Sequence, residues 1–371
     1  MRKTLAAILA MLMVLTLAAC GGGETTSSAA SSGAAATGDP SDPTQGESYT
    51  IRIATNGTAA DVQGEGISQT GKGMIYFKKE IEERTGGRIT VQIFTDGQLA
   101  SSTQEYIGNA QAGAYEMFQL NCGSWADYTP AFAGLNIPYL YMDYDDAYAV
   151  LDSDLRNEWD ERALADTQCI PLAHLDIGFR QLTANKEIHT PADMNGVKIR
   201  TMVDPIQTAC WEALGASVTP VPYAELYTAL QQKLVDAQEN PPSNIVSSRL
   251  YELQEYCMIT NHNFTTTIMA ASPVFWGNIS DADKQLLTDL WHETELYVRT
   301  LTEDLANDFL VQMEGTGESG CQIIELTTDE LKQFQDVAKT IWPMVEEQMG
   351  SEAYNKLIDF VMEYQANKAS A

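Results

Sequence analysis

Basic residues are scarce in this chain: 22 Lys and Arg stand against 51 Asp and Glu among 371 residues, a formal net charge of −29. So acidic a surface repels phosphate backbones and anionic lipid headgroups, which excludes nucleic acid as a partner and a charged membrane surface as a docking site. Histidine is scarcer still, and His174, His189, His262 and His292 lack ligand spacing. With no CxxC pair and no HExxH, no metal site is expected, and no cofactor either. Cysteine is sparse and scattered. Besides Cys20, the five at 122, 169, 210, 257 and 321 form no disulfide framework; one bridge is open to them, but buried free thiols are the expectation. Long apolar runs are missing beyond the first twenty residues, so no later segment is expected to cross a membrane.

What the N-terminus does contain is an address. Arg2 and Lys3 precede an apolar stretch from Leu5 to Ala18, which closes on Leu17-Ala18-Ala19-Cys20-Gly21. That order reads as a secretory signal (1–19) ending in a lipobox, with Cys20 lipidated, palmitate-bearing and the first residue of the mature chain. Residues 20–48 are rich in Gly, Ser, Ala and Thr, cannot bury a core, and read as a flexible tether. The expected body is therefore held at the cell membrane by lipid, facing outside the cytoplasm, in a periplasm or at the cell exterior.

The body alternates short strand patterns with helical ones, the signature of an α/β architecture. Tyr49 to Ala54 alternates apolar and polar residues, Thr55 to Gly73 reads as a loop, and Met74, Phe77 and Ile81 mark one helix face before Gly86-Gly87. Arg88 to Phe94 alternates again. Asn56 follows the first strand and Asn121 ends a strand expected over 115–120; both are places where ligands bind in open α/β sheets. The aromatic-rich segment from Tyr128 to Tyr148 reads as core. A helix is expected from Tyr223 to Leu234 and a short strand over 235–238. From Asp281 to Glu314 there is neither Gly nor Pro, and Ser280 is a suitable cap. An unbroken helix of that length would measure roughly 50 Å, enough to span two domains.

Arg180 and Arg200 stand out in so acidic a chain. Period-2 alternation in Val197-Lys198-Ile199-Arg200 puts Arg200 on the face opposite Val197 and Ile199, near a strand end. A guanidinium so placed grips a carboxylate bidentately, and without a partner it would be costly to bury. The pair therefore implies a carboxylate, either internal or brought by a ligand.

The wider pattern resembles a known family. Arg180-Gln181-Leu182-Thr183-Ala184-Asn185, Thr190-Pro191-Ala192-Asp193-Met194-Asn195-Gly196-Val197-Lys198-Ile199-Arg200, Glu225-Leu226-Tyr227-Thr228-Ala229-Leu230-Gln231 and Val235-Asp236-Ala237-Gln238-Glu239-Asn240-Pro241 resemble, in order and spacing, the substrate-binding subunits of TRAP transporters, the dicarboxylate-binding type. The resemblance implies a two-lobed clamshell, like other periplasmic binding proteins, with a long helix across both lobes. It allots 49–177 and 266–304 to the first lobe, 178–265 and 305–371 to the second. It implies no enzyme but a monomeric receptor for a small organic acid, which delivers its ligand to the TRAP membrane subunits. Arg200 is then the main carboxylate clamp, with Arg180 and Asn240 on the same group, Tyr223 packing on the ligand, and Asn56 and Asn121 as polar contacts. Thr201-Met202 and Pro220-Val221-Pro222 depart from the family's commoner form, and Trp276 fits either the cleft or the long helix. The acid is left open among sugar acids, dicarboxylates and hydroxy or keto acids. Two rivals remain: a lipoprotein presenting its ligand to a membrane sensor, and an extracellular hydrolase, for which the chain offers no GxSxG elbow.

Overall fold

The computed structural model describes residues 42–315 and 320–370. The expected signal peptide, Cys20 and the tether as far as residue 41 lie outside them. The end of the expected tether is not loose: Arg88 donates from Nε to the Pro43 carbonyl at 3.1 Å and from Nη1 to that of Glu47 at 2.8 Å, which seats these residues on the body.

In chain order the elements are β1 (Tyr49–Ala54), α1 (Gln69–Arg84), β2 (Ile89–Phe94), α2 (Thr103–Gln111), β3 (Met117–Asn121), α3 (Tyr144–Leu151), α4 (Asp154–Thr167) and β4 (Ile170–Phe179). Then follow β5 (Gln181–Ala184), β6 (Lys198–Thr201), α5 (Pro205–Ala213), β7 (Ser217–Pro220), α6 (Leu226–Gln231), β8 (Ala237–Asn240) and α7 (Pro242–Ser247). The chain ends with β9 (Tyr256–Ile259), β10 (Phe264–Ala271), α8 (Pro273–Asn278), α9 (Asp281–Met313), β11 (Gln322–Glu325), α10 (Thr328–Ala338), α11 (Trp342–Met349) and α12 (Ser351–Ala369).

Two sheets make two lobes. The first runs β2-β1-β3-β10-β4 and the second β11-β9-β5-β8-β6-β7. The strands leave one sheet for the other twice. Arg180 is the single residue between β4 and β5, and Thr260–Asn263 links β9 to β10. These crossovers lie side by side, the Arg180 amide donating to the Asn263 carbonyl at 2.9 Å. Gln181 ties them further, its Oε1 accepting from the Thr260 and Asn261 amides, both at 3.0 Å.

The third connection is α9. Ser280 caps it, accepting from the Asp283 amide at 3.1 Å. Its first half carries Leu287, Leu290, Trp291 and Val298 into the core around β1 and β2, where Trp291 stacks on Phe77 with centroids 3.9 Å apart. Its end carries Phe309 and Met313 into a separate core with Leu226, Ile245 and Cys257. The helix thus spans both lobes, as its uninterrupted sequence implies.

Several local expectations shift. α1 begins at Gln69 rather than near Met74, because Ser68 caps it and the glycines inside it are sites of close packing: a Cβ on Gly73 would meet Val298 of α9 at 2.6 Å. The helix expected from Tyr223 is only Leu226–Gln231, preceded by a turn and ended where Lys233 takes φ +57°. Trp276 packs on the first-lobe core rather than in a cleft. Residues 305–371, expected with the second sheet, divide. α10 belongs beside α5, whereas α12 returns to α3: Gln365 donates to the Leu140 carbonyl at 3.0 Å and to Asp146 at 2.6 Å. Cys122, Cys169, Cys210, Cys257 and Cys321 are buried and free.

Candidate functional site

A cavity of about 300 Å³ lies between the lobes. Asn56, Asn121, Arg180, Arg200, Tyr223 and Asn240 all line it, so the structure brings together all six residues singled out in the sequence. Asn56 stands just past β1 and Asn121 at the end of β3, both on the first sheet. From the second come Arg200 in β6, Asn240 ending β8, and Tyr223 in the turn after β7.

The two arginines are not equivalent. Arg180 is 2% exposed and its fork is taken up by Glu239, which is wholly buried. Nη2 of Arg180 donates to Glu239 Oε1 at 3.0 Å, to the Glu239 carbonyl at 2.6 Å and to Asn240 Oδ1 at 3.0 Å. His262 meets the same carboxylate at 3.1 Å. Burial pushes the Glu239 carboxyl up, but the Arg180 charge and the His262 contact outweigh it and hold the pKa at about 2. Burial drives His262 the other way, below its ordinary value.

Arg200, 1% exposed, has no such partner. Its Nε and Nη2 donate to one carbonyl, that of Val221, at 2.9 and 2.6 Å. No carboxylate among the described residues forms an ion pair with it. Burial lowers its pKa to about 10 despite the pull of Glu239. The guanidinium is a buried cation at a cavity wall, short of a counter-ion.

The amides are more committed than their positions imply. Asn240 accepts from Arg180 and donates to Gln238 Oε1 at 2.6 Å. Asn121 donates to Thr265 at 3.0 Å and accepts from the Gly123 amide at 3.0 Å, capping the turn that follows β3. Tyr223 ties its hydroxyl to the Asn244 carbonyl at 3.1 Å and to Ser248 at 2.7 Å, leaving its ring for the cavity. Sequence reasoning missed Asp61, Gln119 and Ser101, which also line the space, and Glu239 behind it. Glu239 had a signal: a buried Arg180 needs an internal carboxylate, and Glu239 adjoins Asn240. Asp61 had none, lying in a polar loop.

No group of three or more His, Cys, Asp or Glu side chains among the described residues is placed to hold a metal ion. The profile of the bacterial extracellular solute-binding proteins, family 7 (DctP), matches residues 63–348. A solute-binding protein of Verminephrobacter eiseniae (strain EF01-2) is 32% identical over 227 residues, 60% of this chain and 66% of that one. The 2,3-diketo-L-gulonate-binding periplasmic protein YiaO of Escherichia coli (strain K12) is 29% identical over 277 residues, 74% of this chain and 82% of that one. Among solved structures, the sugar acid binding protein of Advenella mimigardefordensis in complex with galactonate is similar at a TM-score of 0.79 and 25% identity, over 85% of this chain and 99% of that one. Two sheets joined by paired crossovers and one long helix, a cavity between them, and a match over most of the chain agree: this protein belongs to family 7 of the bacterial extracellular solute-binding proteins, the TRAP-type substrate-binding subunits, which are binding proteins and not enzymes.

Proposed function

We propose that the protein captures a small organic acid outside the cytoplasm by seating its carboxylate on Arg200, and passes it to the membrane subunits of a TRAP-type transporter. The observation that carries this reading is the state of Arg200, a buried guanidinium at a cavity wall with one carbonyl partner and no counter-ion. A ligand carboxylate would supply what burial has removed. Arg180 and Asn240 flank the same space, though each is engaged by the protein, so they shape and orient the anion site while Arg200 supplies its charge. The relatives named for diketogulonate and galactonate support a carboxylate-bearing ligand.

Micromolar affinity corresponds to about 8 kcal/mol. Two charge-assisted hydrogen bonds at about 1.5–3 kcal/mol each would supply about half of it. Closure of the lobes about the crossovers at Arg180 and Thr260–Asn263, with α9 as the third strut, would supply the rest by enclosing the ligand. Lipid anchorage at Cys20 and a monomeric state belong to the same proposal and rest on the sequence.

A thermal-shift screen across an organic-acid panel tests the reading. The parent protein's melting temperature rises with at least one acid, and Arg200→Ala abolishes that rise, a loss of about 100-fold or more in affinity. An undiminished shift in the variant would rule Arg200 out as the anchor.

A further inference from the structure

Two of the five buried cysteines are neighbours. Parallel pairing of β9 with β11 sets Ile323 opposite Cys257 and Gln322 opposite Tyr256. Cys321, two residues before Ile323, therefore turns its side chain to the same face as Cys257. Both are wholly buried, in the core that also takes Phe309 and Met313 from the end of α9. There the thiols meet, Cys257 donating to the sulfur of Cys321. The Cys321 backbone is held as well: its amide donates to the Met313 carbonyl at 2.8 Å and its carbonyl accepts from the Gly315 amide at 3.0 Å. Cys122, by contrast, meets Asn136 and Thr265 rather than another thiol.

The chain between these two positions runs through both lobes. From Cys257 it leaves the second sheet through Thr260–Asn263, builds β10 and α8 in the first lobe, and returns along the whole of α9 to Cys321. A bond between the sulfurs closes a ring of about 65 residues that holds two of the three connections between the lobes. Extracellular binding proteins work where disulfides persist. We infer that Cys257 and Cys321 form a disulfide, which staples β11 and the far end of α9 to β9 and threads one covalent ring through both lobes. The oxidant is an external disulfide, either a small molecule or a thiol–disulfide oxidoreductase. Contact with Cys257 lowers the Cys321 thiol below its ordinary value, while the same contact and burial raise Cys257, so Cys321 is the attacking thiolate. Its sulfur bonds to one sulfur of the oxidant and expels the other as a thiolate. Cys257, giving up its proton, then displaces the second: two protein thiols are oxidised, two electrons pass to the external disulfide, and it leaves as two thiols. The exchange belongs to the stage of folding at which β9 and β11 have paired and the end of α9 has not yet covered them.

Refolding of the full chain from urea in a mixture of oxidised and reduced glutathione tests this, with thiols then blocked by N-ethylmaleimide in denaturant and counted by mass spectrometry. The expected product carries two fewer blocked thiols than a sample reduced with dithiothreitol, and its digest contains the Cys257 peptide joined to the Cys321 peptide. Its melting temperature lies about 5 °C above that of the reduced sample, and dithiothreitol removes the difference. In Cys321→Ala no bridged peptide forms and the melting temperature no longer responds to the redox buffer. Equal thiol counts overturn the inference, as does a bridge joining any other pair, or a melting temperature that the bridge leaves unchanged. Should the variant fail to fold, the parent's peptide map alone decides.

Discussion

Arg180 and Arg200 lie twenty positions apart, are both almost wholly buried and line one cavity, yet they stand in opposite electrostatic situations. The cause is strand register. Arg180 sits at the crossover into β5, and antiparallel pairing sets Leu182 of β5 opposite Glu239 and Gln181 opposite Asn240, which brings the Glu239 carboxylate under the guanidinium. Arg200 lies in β6 between β7 and β8, opposite Thr219 on one side and Gln238 on the other, neither of them ionisable. One arginine has its anion built in and holds the crossover together. The other has been left without one. A buried charge lacking a partner costs stability, so the second arginine makes physical sense only if something else completes it.

The sharpest way to break this contrast is to remove each charge in turn. Arg180→Met strands Glu239 as an uncompensated buried carboxylate and is expected to lower the unfolding free energy by about 3–5 kcal/mol. Adding Glu239→Met should return much of the loss, since replacing a whole buried pair by apolar side chains is often neutral. Arg200→Met is expected to do the reverse of Arg180→Met: stability in the absence of ligand stays level or rises by about 1 kcal/mol, while the thermal response to organic acids vanishes. Urea denaturation of the three variants without ligand checks the stabilities, and thermal shift of Arg200→Met with organic acids checks the lost response. Equal destabilisation by the two single arginine variants would mean that Arg200 has an internal partner after all.

Much of this was legible in the chain, and the misses have identifiable causes. Alternation in Val197–Arg200 placed Arg200 on its strand face, and the run from Asp281 without Gly or Pro gave α9 its length, because both rest on local periodicity. The start of α1 was misplaced because Gly71 and Gly73 look like loop residues until one sees what they pack against. The return of α12 to α3 depends on long-range contacts such as Gln365 with Leu140, which no local pattern encodes. At the site, the six residues singled out by position and by the family resemblance line one cavity. Their engagement was not legible, because whether Asn240 is free or held by Arg180 and Gln238 is a matter of register across three strands.

The contrast between a partnered and an unpartnered charge repeats among the carboxylates. Glu239 is held at about 2, so its contribution to stability is present above its ordinary 4.5 and is lost only as pH falls towards 2. Asp204, the cap of α5, has only the amides of Ile206 and Gln207 on Oδ1, while Oδ2 meets no donor. Burial pushes it up to about 7. For a raised carboxyl the sign reverses: the folded state holds a proton that the unfolded state releases, so the contribution is full below 3.8 and disappears as pH climbs to about 7. Melting temperature measured from pH 4 to pH 8 without ligand should therefore fall more steeply with rising pH in the parent protein than in Asp204→Asn. Parallel profiles would show that Asp204 is already ionised in the folded protein at low pH.

The smallest expected effect concerns Tyr223. Its hydroxyl is held by Asn244 and Ser248 of the segment that includes α7, so only the ring is available to a bound molecule. Loss of the ring in Tyr223→Ala removes apolar contact worth about 1 kcal/mol and weakens binding several-fold, far less than removal of the Arg200 charge. Tyr223→Phe keeps the ring and is expected to leave affinity within about twofold, at a cost in stability of about 1 kcal/mol from the lost hydroxyl contacts. Titration of both variants with the acid that binds the parent protein best distinguishes ring from hydroxyl. A large loss in the phenylalanine variant would mean that the hydroxyl leaves Asn244 and Ser248 to meet the ligand when the lobes close, making Tyr223 a polar contact rather than a packing surface.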